Sequence, residues 1–186
     1  MSKKINISFK STAYRMLKKM PGKLWYIFAE FIDNSISSYL QNRIELERIN
    51  GKDYKLIIEI DYNEDDIITI TDNAAGIDEK NWKRALMPGD IPEDDKGLNE
   101  FGMGMKYSAV WLSNKWHLKS KSIDDKFQRE VTFDYNKVIK EELEELPYSE
   151  NYEIKNHGTK IVLENLEQKR VKPFQRVKIQ KHIKID

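Results

Sequence analysis

A chain of 186 residues with 39% hydrophobic content can enclose one core and has no room for a second catalytic domain beside it. With 32 basic residues against 31 acidic ones, the net charge of +1 excludes a global field that would capture nucleic acid or an acidic membrane surface. The absence of cysteine excludes disulfides, thiol nucleophiles and thiolate metal sites, and the three histidines, His117, His157 and His182, show no ligand spacing.

The opening residues, Met1-Ser2-Lys3-Lys4-Ile5-Asn6, lack the apolar core of a signal peptide. No stretch reaches the ~18 apolar residues of a membrane span, so a cytoplasmic protein without membrane contact is expected. Residues 11–20 predict a short helix stopped by Pro21-Gly22. Beyond it, Leu24, Phe28, Ile32, Ile36 and Leu40 recur every four residues with Phe31, Ser35 and Tyr39 beside them, which predicts a long amphipathic helix. Residues 55–60 and 67–71 are rich in β-branched side chains and predict two strands, paired as an antiparallel hairpin around a polar turn. Asp78 is placed to cap a helix through about Met87, and Pro88-Gly89 ends it before an acidic stretch to Gly97 with the composition of a lid. A second core helix is predicted from Gly104 to about Leu112, then strands near 115–120 and 127–134, a charged helix near 136–146, and a strand at 158–163. This order predicts an α+β two-layer sandwich, a mixed, largely antiparallel sheet with helices on one face. Residues 1–168 are assigned to the domain. Residues 169–186, with a helix start at Pro173, are read as a basic linker or the start of a following domain; a solvated helix and a contact for nucleic acid or a partner both suit that tail.

Glu30 and Asn34 lie four apart on the polar stripe of the first long helix, so their side chains leave the same face. An amide oxygen together with phosphate oxygens is an adequate magnesium shell, and a carboxylate kept off the metal can polarise a water for attack on a phosphoryl group. A merely solvated helix face has the same composition. Asp72 follows the second strand, and the small residues Ala74, Ala75 and Gly76 let a flat base approach the backbone. A buried carboxylate there accepts the exocyclic amino hydrogen of adenine and opposes the carbonyl of guanine, although an ordinary turn suits the same residues. Gly102 and Gly104 precede a helix, so backbone amides and the helix dipole could meet a phosphate there, with Lys106 one turn inside; a glycine hinge is the alternative. Met103 breaks the Walker pattern and Tyr107 breaks the dinucleotide fingerprint.

The order of these motifs, followed by Gly158-Thr159-Lys160-Ile161-Val162-Leu163, resembles the superfamily of gyrase, heat-shock chaperone, histidine kinase and MutL (GHKL) ATPases, whose nucleotide-binding unit is the Bergerat fold. Phe28-Ala29-Glu30-Phe31-Ile32-Asp33-Asn34-Ser35 and Glu100-Phe101-Gly102-Met103-Gly104-Met105-Lys106 look most like the MORC and MutL-like branch. The resemblance implies ATP and Mg2+ as ligands, with Glu30 as general base and Asn34 as metal ligand. It further implies Asp72 as adenine reader over a turn at Gly76, with Ile77 and Met87 lining the base pocket. Gly102, Gly104, Lys106 and Lys96 would hold phosphates, and Thr159 would support Asp72. ATP-dependent homodimerisation is implied too, as is a further lysine from a following domain, so that turnover in isolation is expected to be slow. Where relatives usually carry glycine this chain has Ala74, an expected source of strain if that residue needs a positive φ. A histidine-kinase-like phosphotransfer domain and a non-hydrolysing interaction module are the competing expectations.

Overall fold

The computed structural model describes residues 13–88, 103–152 and 156–171, and the backbone alone for 181–185. Helices α1 (Ala13–Lys19), α2 (Leu24–Gln41) and α3 (Arg43–Asn50) precede the hairpin β1 (Leu56–Tyr62) and β2 (Ile68–Asp72). Helices α4 (Glu79–Leu86) and α5 (Gly104–Leu112) follow, then β3 (Ser113–Lys121), β4 (Phe127–Asp134), α6 (Tyr135–Lys140), β5 (Tyr148–Tyr152), β6 (Gly158–Leu166), α7 (Gln168–Val171) and β7 (Lys181–Ile185). The strands form one sheet in the order β5-β4-β3-β6-β2-β1-β7, and every described ladder is antiparallel.

Alternation along the strands decides which face is covered. Leu56, Ile58, Ile60, Ile68, Ile70, Trp116, Leu118, Val131, Phe133, Ile161 and Leu163 are buried, while interleaved positions such as Glu59, Thr132 and Lys160 are exposed. The helices pack on the first set, giving the expected α+β sandwich. At about 1.5–3 kcal/mol per buried aliphatic or aromatic side chain, this face is the main source of stability. Helix α5 lies inside the helical layer, buried from Lys106 to Leu112. The α1–α2 corner is tied to it by Tyr107 Oη donating to Pro21 O at 2.8 Å and Trp111 Nε1 donating to Met20 O at 3.2 Å.

Several local expectations are corrected. In α2 the fourfold row advances about 40° per step around the helix. It therefore drifts off the buried arc of Ile27, Phe28, Phe31, Ser35 and Tyr39, leaving Ile32 and Ile36 half-buried and Leu40 55% exposed. Helix α3 buries only Leu46, so no apolar stripe marks it in the sequence. The charged helix expected to reach residue 146 stops at Lys140: Glu142 takes a left-handed φ of 50° and Leu143 N donates to Val138 O at 3.1 Å, the Schellman termination. Strand β5, exposed along its length, follows it. In the basic tail, Lys181–Ile185 pairs with β1 as an edge strand, and the expected helix start at Pro173 lies outside the described residues.

Candidate functional site

One cross-strand row of the core face runs Ile70, Ile161, Leu118, Val131. Two residues farther along each strand, on the same face, the row becomes Asp72, Thr159, Ser120 and Arg129. The two-residue repeat of a strand thus carries the apolar layer into a polar edge at one end of the sheet.

Asp72 is the carboxylate of this row, and three protein donors hold it. Its Oδ2 accepts from Ser35 Oγ at 2.8 Å, and its Oδ1 accepts from Ala74 N at 2.9 Å and Thr159 N at 3.2 Å. Burial pushes its carboxyl above the ordinary value of 3.8, while the hydrogen bonds from Ser35, Ala74 and Thr159 and the proximity of His157 pull it partway back. An ionised carboxylate offers about four acceptor positions, so one remains for a ligand donor. Ser120 Oγ accepts from Ile77 N at 2.9 Å and donates to Gly158 O at 3.0 Å, so Thr159 Oγ1, 3.0 Å away, donates to it. Gly76 has a φ of 74°, and a Cβ there would meet Lys121 O at 2.0 Å. Gly158, with a φ of 124°, would meet Asp72 O at 2.2 Å. Ala74 is buried and lies outside the positive-φ residues, so the strain expected of alanine there does not arise.

A second cluster forms where α2 meets α5. Asn34 Nδ2 donates to Glu30 O at 2.7 Å, which engages the amide nitrogen and leaves Oδ1 as the acceptor of that side chain. One turn before Glu30, the Tyr26 hydroxyl hydrogen-bonds the Glu30 carboxylate, and that bond raises the phenol's pKa. A Cβ on Gly104 would lie 1.9 Å from Glu30 Oε2, so only glycine lets the carboxylate approach the start of α5 this closely. No side chain caps that helix, and its first-turn amides and dipole favour negative charge.

Of the sequence-predicted residues, Asp72, Gly76, Ile77 and Thr159 are brought together by the Ser120-centred hydrogen bonds and the adjoining turn. Glu30, Asn34 and Gly104 share the second cluster. Helix α2 joins the two, because Ser35 stands five residues past Glu30, about 7–8 Å along the axis. Lys106 follows Gly104 in α5 but is 4% exposed and already has a partner. Met87 closes α4, is 43% exposed, and makes no hydrogen bond into the Asp72 cluster among the described residues. Lys96, Gly102 and the lid stretch lie outside the described residues.

Ser35, Ser120, Gly158 and His157 were given no role from sequence. Ser35 had a signal, a hydroxyl on the apolar arc of α2, whereas the part played by Ser120 emerges only from strand register. A surface depression of 480 Å³ lies beside Asn73 and is walled by the 50–55 turn. Its walls include neither Glu30, Asp72 nor Gly104. Among the described residues, no group of three or more His, Asp or Glu side chains is placed to hold a metal ion, and no helix is long and apolar enough to cross a membrane.

Residues 23–182 match the family of histidine kinase-, DNA gyrase B-, and HSP90-like ATPases. No curated protein matches the chain. The match includes β1 to β6, the Asp72 row and the Glu30–Gly104 contact, on an antiparallel sheet covered by helices on one face. The chain belongs to the GHKL ATPase family and carries its ATP-binding domain.

Proposed function

We propose that this domain binds ATP with its adenine on Asp72 and hydrolyses it in a magnesium-dependent reaction in which Glu30 is the general base. The observation that carries the reading is the Asp72 carboxylate, desolvated and held by three protein donors with acceptor capacity remaining. Such a group discriminates: it accepts from the amino group of adenine and meets the carbonyl of guanine acceptor to acceptor. Gly76 and Ile77 form the turn beside the base, and Met87 stands at its outer edge. Thr159 holds Asp72 through its amide and the Ser120 bridge through its hydroxyl.

At the other end, the uncapped start of α5 at Gly104 suits phosphate oxygens. Lys106, Gly102 and Lys96 complete that phosphate set in the proposal. A hard oxygen donor fits magnesium, and Asn34 Oδ1 is the atom left over once the amide nitrogen is bonded. Asn34 would hold the ion, which when bound neutralises phosphate charge. Glu30, kept at Gly104 and bonded by Tyr26, takes the proton of the attacking water. A carboxylate base held beside the phosphate end supports hydrolysis rather than phosphotransfer to a protein.

The domain is further proposed to act as a nucleotide-driven conformational and dimerisation switch of the MORC or MutL-like kind. The acidic stretch between the base and phosphate motifs motivates this, as does the resemblance to that branch. Titration with Mg-ATP tests binding, and Glu30→Gln should leave affinity intact while slowing turnover about 100-fold or more. Unchanged turnover removes Glu30 from the role of base.

A further inference from the structure

The backbone that follows Asp72 is held from outside. Asn73 O accepts from Tyr54 Oη at 2.7 Å, Ala75 O accepts from Ile123 N at 2.9 Å, and between them Ala74 O lies 2.7 Å from His157 Nδ1. The hydrogen bonds fix which nitrogen of His157 carries the proton. Asn50 Nδ2 donates to Leu46 O at 3.0 Å and also faces His157 Nε2 at 2.9 Å. An amide nitrogen only donates, so Nε2 must accept, and the proton of the neutral ring sits on Nδ1, aimed at Ala74 O. The Tyr54 ring packs against the imidazole with centroids 5.8 Å apart, which limits its rotation.

Ala74 is therefore held at both polar ends. Its amide hydrogen goes to Asp72 Oδ1 and its carbonyl receives the His157 proton. The residue is 1% exposed, so water does not replace a lost donor easily. We propose that His157 is a positioning residue for base recognition: by fixing the Ala74 carbonyl it sets the loop whose amide holds Asp72 in its reading orientation. This deepens the reading of Asp72 as the purine acceptor and rests on it. His157 touches neither base nor phosphate; it acts through Ala74.

The two ring nitrogens can be tested separately. Asparagine places its amide near the position of Nδ1 and glutamine near that of Nε2. ADP binding is measured by calorimetry for the wild type, H157A, H157N and H157Q, with inorganic tripolyphosphate as a ligand that has no base. H157A and H157Q should bind ADP about 10-fold more weakly, the scale of one buried hydrogen bond, with H157N within about twofold of the wild type. Tripolyphosphate affinity should be the same in all four. Wild-type affinity for ADP in H157A overturns the proposal, as does a parallel loss of ADP and tripolyphosphate, which marks a general structural role. Rescue by H157Q in place of H157N also overturns it. Should H157A fail to fold, the contrast between H157N and H157Q decides alone. A wild type that binds tripolyphosphate but not ADP removes the Asp72 reading itself, and this proposal with it.

Discussion

Replacing Asp72 by asparagine separates recognition from stability. The three hydrogen bonds to its carboxylate come from Ser35 Oγ, Ala74 N and Thr159 N, at 2.8, 2.9 and 3.2 Å. An amide can satisfy all of them: its oxygen accepts from the two backbone amides, and its nitrogen donates to Ser35 Oγ, whose own proton still has Phe31 O at 3.3 Å. What disappears is the charge that burial disfavours. Because the folded-state pKa of Asp72 is raised, its contribution to stability is greatest below the ordinary value of 3.8 and is lost as pH rises through the raised one. The variant should therefore melt at the same or a higher temperature than the wild type at neutral pH, its relative advantage growing across that acidic window and then levelling off. Nucleotide binding should move the other way. A hydrogen bond to a charged acceptor contributes about 1.5–3 kcal/mol, so ADP should bind roughly 10- to 150-fold more weakly, and more so because an amide nitrogen would face the adenine amino group donor to donor. Thermal denaturation and calorimetric titration on the same preparations read both effects. Unchanged ADP affinity, or a marked loss of melting temperature at neutral pH, would refute the reasoning.

Gly104→Ala places a Cβ 1.9 Å from Glu30 Oε2, the mobile end of a side chain, so the fold should survive while the carboxylate is displaced. Turnover should fall by up to about 100-fold with little change in melting temperature, read by single-turnover kinetics. Gly158→Ala meets backbone instead, 2.2 Å from Asp72 O at a φ of 124°, and should cost about 2–4 kcal/mol in denaturant unfolding as well as weakening ADP. Ser120→Ala strips Ile77 N and Thr159 Oγ1 of their shared partner, and buried groups left unpaired cost about 1–3 kcal/mol each, measurable by the same unfolding.

Strands β1 to β4 and β6 are legible because their faces alternate, and the functional motifs because they sit at element junctions. Glu30 and Asn34 share a helical stripe, Asp72 ends a strand, and Gly104 opens a helix, all local facts. Two of the three hydrogen bonds that hold Asp72, those from Ser35 and Thr159, are not local. Ser35, Ser120 and Thr159 reach it or its neighbours from three distant segments: the pairing of Asp72 with Thr159 and of Thr159 with Ser120 brings in the last two, and the packing of α2 brings in the first. His157 was unreadable for the same reason, since its partners are Asn50 and the carbonyl of Ala74. The misjudged helix after Tyr135 shows the opposite failure: a run of good helix formers was overridden by a left-handed glutamate and the packing of Leu143. Strand β5 escaped notice because all five of its residues are exposed and no apolar alternation marks it.

Calorimetric titration of ATP and GTP in the presence of magnesium tests the adenine cleft most directly. ATP should bind, and GTP should bind at least about 10-fold more weakly, because the guanine carbonyl meets the Asp72 carboxylate. Equal affinities, or no heat from either nucleotide at millimolar concentration, would contradict it.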